Sequence, residues 1–155
     1  MARYRSILSL VLVLLATFLV SCGGPSVATA PPTYTPSQLE KIQEYVPEVL
    51  AVRDRAAELQ KLIQTQQWVK VRNFIHGPMA EARLSMNYIA SNLLPQDQKS
   101  AREKVKNLLD HLVKVDQAAE VANYQQAVIN SQTAFTDIEN FLKLVPQPST
   151  QAEES

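Results

Sequence analysis

Residues 101–145 read AREKVKNLLDHLVKVDQAAEVANYQQAVINSQTAFTDIENFLKLV, and this stretch decides the fold. Ala101, Val105, Leu108, Leu112, Val115, Ala119 and Ala122 follow one another at intervals of 4, 3, 4, 3, 4 and 3. Tyr124, Val128, Ser131, Phe135, Ile138, Leu142 and Val145 repeat those intervals. At 3.6 residues per turn, such spacing lays one apolar seam along a helix. Two long amphipathic helices are therefore expected, packing at a shallow angle. Asn123, followed three residues later by Gln126, supplies a helix cap with a capping-box partner between them.

Upstream the same period recurs with two slips. Trp68, Val71, Ile75, Met79, Ala82, Met86, Ile89 and Leu93 form a third seam, in which two successive intervals of four fall at Gly77-Pro78. A proline there lacks an amide and crowds the carbonyl of Phe74, so a kinked helix is expected. Thr35-Pro36-Ser37-Gln38 opens a fourth segment with a capping residue, a first-turn proline and a box-closing glutamine. Leu39, Ile42 and Val46 precede Pro47; Val49, Val52, Ala56, Leu59 and Ile63 follow with one phase slip. A kink at Pro47 and a fresh start there are both open; the cost of an internal proline, about 3 kcal/mol, favours two pieces.

The links near 64–66, 94–96 and 123 are only a few residues long, and links that short join antiparallel neighbours. The expectation is an all-α, up-down-up-down four-helix bundle over residues 35–146, with arms of roughly 25 residues or about 38 Å. Gly77 is the only glycine between residues 35 and 146, and nothing alternates with period two. Gly23 to Tyr34 is rich in proline and reads as a flexible linker. Residues 147–155 read as a polar, frayed tail.

The first residues are read as a targeting segment. Arg3 and Arg5 precede the apolar run Ile7–Val20, which is short for a membrane span of roughly 20 residues. Leu19-Val20-Ser21-Cys22 has the form of a bacterial lipobox, with an aliphatic residue at −3, a small residue at −1 and then the cysteine whose thiolate takes the lipid. Residues 1–21 are thus expected to be removed and Cys22, the only cysteine, to carry an acyl anchor.

Little else carries chemistry. Fifteen basic and fifteen acidic residues in 155 cancel, which argues against a nucleic-acid binder. A single cysteine leaves no disulfide framework or thiolate metal site. The residues three before His76 and His111 are Asn73 and Leu108, so the Glu-x-x-His pairs of di-iron bundles are missing. Both histidines flank seam residues and belong at the core edge or in solvent. Met79 and Met86 read as core filling rather than haem ligands, and Trp68 as a core anchor. No catalytic residue, metal site, cofactor or small-molecule substrate is expected. Lys99, Arg102 and Lys106 share one helical face, a candidate docking stripe for an acidic partner, although a merely solvated face is the commoner case.

These residues carry a resemblance. The lipobox, the linker ending in Thr33-Tyr34-Thr35-Pro36, Trp68, Phe74-Ile75-His76-Gly77-Pro78, Leu93-Leu94-Pro95, Asp116-Gln117-Ala118-Ala119 and Phe141-Leu142 resemble the cyanobacterial lipoprotein branch of the PsbQ family. The resemblance implies a non-catalytic extrinsic subunit of photosystem II on the lumenal side of the thylakoid membrane. It implies stabilisation of the oxygen-evolving complex, retention of calcium and chloride, and contact with the manganese-stabilising protein and a core antenna subunit. The alternatives are a cofactor- or metal-binding bundle lipoprotein and a free lipoprotein adaptor.

Overall fold

The computed structural model describes residues 32–147. The expected lipobox with Cys22, the expected leader and most of the expected linker and tail lie outside them. Helices α1 (Pro36–Arg53) and α2 (Ala56–Gln64) make the first arm. Helix α3 (Trp68–Phe74), a π-helical turn (Ile75–Met79) and α4 (Ala80–Asn92) make the second. Helices α5 (Pro95–Glu120) and α6 (Tyr124–Leu142) are the third and fourth. Consecutive arms pack side by side and the first also packs on the fourth, which closes an up-down-up-down four-helix bundle. Among the described residues there is no strand.

Local chemistry starts and stops the arms. Thr35 closes a full capping box: its hydroxyl accepts from the Gln38 amide at 3.2 Å, and the Gln38 side chain accepts from the Thr35 amide at 3.0 Å. Asn123 caps α6 by accepting from the Gln126 amide at 3.1 Å, whereas the Gln126 side chain turns to Asn130 instead of completing a box. Tyr34, assigned from sequence to the linker, packs against the core, and its hydroxyl accepts from the Leu94 amide at 3.4 Å.

Both turns of the first and third arms end in a left-handed residue. Gln66 and Ala122 have φ of 53°, and the amides of Gln67 and Asn123 bond back to the carbonyls of Leu62 and Ala118. This is the Schellman closure, whose left-handed position favours glycine. An L-residue there costs about 1 kcal/mol. Ala122→Gly should therefore raise stability by up to about 1 kcal/mol, offset by the entropy glycine adds to the unfolded chain. A thermal melt that drops instead would show that the turn is not strained.

The two phase slips have separate structural causes. Pro47 neither starts nor ends a helix; it lies inside α1 on the exposed face, where water can take the carbonyl its missing amide leaves free. The break comes later, at Asp54-Arg55. There the amides of Arg55 and Glu58 bond three residues back, to Val52 and Arg55, both at 3.0 Å. This tightening restores the phase, so Leu59 and Ile63 re-enter the core with no exposure. In the second arm the slip is absorbed by the π turn. Bonding five residues apart accommodates one extra residue and lets the Phe74 carbonyl pair beyond the proline.

The core is continuous across the arms. Ile42, Val49, Leu59, Val71, Met79, Met86, Ile89, Leu108, Val115, Ile138 and Phe141 are fully enclosed. Each such side chain contributes about 1.5–3 kcal/mol relative to exposure. That comparison predicts the outcome of Pro78→Ala. A straight α-helix would gain one hydrogen bond, about 1 kcal/mol, while rotating Met79, Met86 and Ile89 off the core. Packing wins, so the π turn should persist in the variant, with stability within about 1 kcal/mol of the parent. A structure of Pro78→Ala with a regular α-helix through residue 79 would show that the proline imposes the turn.

Candidate docking surface

Lys99, Arg102 and Lys106 all lie exposed on the outward side of α5. Among the described residues none of them forms an ion pair; the Arg102 guanidinium donates to Gln98 Oε1 at 3.1 Å. The stripe continues at the same spacing into Leu109 and Val113, which are 40% and 46% exposed. Three cations followed by two bare aliphatic side chains form an amphipathic face that serves neither the core nor a neighbouring arm. The sequence singles out only Lys99, Arg102 and Lys106, because Leu109 and Val113 are unremarkable in composition. Their continuation of the stripe, off the seam, was the available signal.

Elsewhere on the bundle, polar side chains fasten adjacent arms. Arg72 Nε lies 2.9 Å and His76 Nε2 2.8 Å from the same Asp116 oxygen, joining the second arm to the third. His111 Nδ1 meets Asp137 Oδ2 at 2.7 Å, joining the third to the fourth. His76 is in solvent and His111 at the core edge, the two placements expected, but each is committed to an aspartate that spacing alone does not identify. Met79 and Met86 are enclosed core residues. Among the described residues no three His, Cys, Asp or Glu side chains converge as a metal site, and no buried side-chain polar atom lacks a partner.

The Arg72 guanidinium holds the Asp116 carboxyl below its ordinary value, with His76 adding to the effect and burial opposing it. A depressed folded-state pKa stabilises above the unfolded carboxylate value of about 4 and ceases to do so as pH falls through the folded value. Asp116→Asn should therefore flatten part of the acid limb of stability below pH about 4. Identical acid unfolding curves for parent and variant would remove Asp116 from that account.

The sequence pattern of PsbQ, oxygen evolving enhancer protein 3, matches residues 2–146. The chain belongs to the PsbQ family. It is 44% identical over 150 residues to the protein named CyanoQ from Synechocystis sp., covering 96% of this chain and 100% of that relative. As a PsbQ protein it has the expected four-helix bundle. Among the described residues no helix is long and apolar enough to cross a membrane.

Proposed function

We propose that this chain is a non-catalytic extrinsic subunit of photosystem II. On this reading a lipidated Cys22 holds it on the lumenal side of the thylakoid membrane, where it stabilises the oxygen-evolving complex and helps retain calcium and chloride. Membership of the PsbQ family along residues 2–146 is the observation that carries this reading. The bundle supports it by offering contact faces. The stripe from Lys99 through Arg102 and Lys106 to Val113 is the proposed docking face. It would meet an acidic surface with apolar gaps on the manganese-stabilising protein or a core antenna subunit.

Pull-down of the affinity-labelled protein from detergent-solubilised thylakoids tests the assignment. Photosystem II subunits should co-purify, and membranes lacking the protein should evolve oxygen less well when calcium or chloride is scarce. Recovery of the protein free of photosystem II would sink the reading. A stoichiometric Soret band or bound metal in the purified protein would favour a cofactor carrier instead. Reversing Lys99, Arg102 and Lys106 to Glu should weaken association, most strongly at low salt. Folding should change little, since exposed charges contribute little to stability. Unchanged co-purification after triple reversal would return the stripe to a solvated face.

A further inference from the structure

We infer that the groove between α1 and α4 is a second docking site, shaped for a basic, apolar-flanked peptide segment of a protein partner. One lysine or arginine would enter between Glu48 and Glu81 with its stem against Tyr88. The inference does not rest on the photosystem II assignment, and it concerns the opposite charge from the α5 stripe.

The groove has a volume of about 490 Å³ and lies where the first and second arms are both irregular. Val52 and Arg55 border it beside the break in the first arm, and Pro78 beside the π turn. Its floor is aromatic: Tyr45 and Tyr88 stack with centroids 4.9 Å apart and rings inclined by 22°. Tyr88 and Leu84 leave 55% and 50% of their surface to solvent, an unusual exposure for two large apolar residues one turn apart. The outer face of a tyrosine ring attracts a cation and accommodates an aliphatic stem.

The charge on the walls is negative and uncompensated. Glu48 and Glu81 are exposed, and among the described residues neither has a cationic partner. The buried Ser85 hydroxyl donates to the Glu48 carboxylate and lies 3.2 Å from the Glu81 carbonyl, which fixes Glu48 at the rim. The cation that lines the groove is already paired: Arg55 binds Glu58 through two nitrogens, at 2.8 and 3.0 Å, and lies over the Phe74 ring at 4.7 Å. Glu44 adds to the negative field, raising the Tyr45 phenol above its ordinary value, with burial, Tyr88 and Glu48 contributing. A cationic head with an apolar neighbour complements both the walls and the floor.

The test uses the full-length ¹⁵N-labelled protein and two peptides, acetyl-Lys-Phe-Lys-Leu-amide and the same peptide with both lysines replaced by glutamate. The basic peptide should shift the backbone amides of residues 45–55 and 79–88 saturably, and less so as salt rises. Joint Glu48→Gln and Glu81→Gln substitution, which leaves Ser85 an acceptor, should weaken that binding about tenfold or more. Tyr88→Ala should weaken it as well while the amide spectrum of the rest of the bundle stays unchanged. Equal shifts from the acidic peptide, or equal affinity in the double variant, would overturn the inference. Groove amides that move with protein concentration alone would overturn it too, by assigning the groove to a second copy of the chain.

Discussion

Phe141→Ala is expected to destabilise the bundle by about 3–5 kcal/mol, the cost of emptying a fully enclosed aromatic site. Phe141 has no exposed surface and sits on α6, the shortest uninterrupted arm, in the single core shared by all four. Neither a disulfide nor a second core is present among the described residues to absorb the loss. For a domain of this size each kcal/mol lowers the melting temperature by roughly 4 °C or more, so a drop of about 12–20 °C is anticipated in a thermal melt followed by circular dichroism. Tyr124→Ala provides the contrast. The apolar spacing puts Tyr124 in the α6 seam, yet it is 45% exposed, and its removal should cost no more than about 0.5 kcal/mol. Equal losses for the two variants would mean that the buried face of α6 is the one the spacing indicates.

Replacing Cys22 with serine behind a cleavable non-lipoprotein signal should leave the bundle folded and release it from its partner. A short flexible tether holds a protein at an effective concentration of about millimolar, which can add a factor of 10² to 10⁴ to weak contacts. Both proposed docking faces are partly polar and lack a deep apolar anchor, so they suit contacts of that kind. Loss of the anchor should therefore make retention by photosystem II sensitive to a salt wash, as read by immunoblot of the washed complex. Retention equal to that of the lipidated protein would show that protein contacts alone suffice and that the anchor serves delivery. An unmodified Cys22 in native membranes, found by mass spectrometry, would refute the lipobox reading itself.

The four arms could be read from the sequence because the information is local. Intervals of three and four, the Thr35 and Asn123 caps and the short links each depend on residues within a turn or two of one another. Together they give four antiparallel helices and place the second arm's slip at Gly77-Pro78, although the first arm breaks at Asp54-Arg55 and not at Pro47. The slips were visible; their resolution was not. Whether Pro47 breaks a helix depends on whether its missing amide faces water, and the exposed side of α1 lets the helix pass through it. Whether Gly77-Pro78 bends the second arm depends on what the residues beyond it must pack against, and the core keeps Met79 to Leu93 in place through a π turn.

The rotation of each helix about its axis was also beyond the sequence. In α6 the small residues Ala127 and Ala134 are fully buried beside Ile138 and Phe141, whereas Tyr124 is exposed and Val128 and Leu142 are only partly covered. Counting large apolar side chains turned that face by about one position, because alanine marks close approach of two backbones without adding much hydrophobicity. The fasteners His76–Asp116 and His111–Asp137 span 40 and 26 residues, and the Tyr45–Tyr88 stack joins two arms. The amino-acid sequence alone thus determined the four arms and their order, since hydrogen bonding and amphipathicity act along the chain. The tertiary structure decided which side chains meet and where a groove opens, since those depend on how four helices rotate to fill one core.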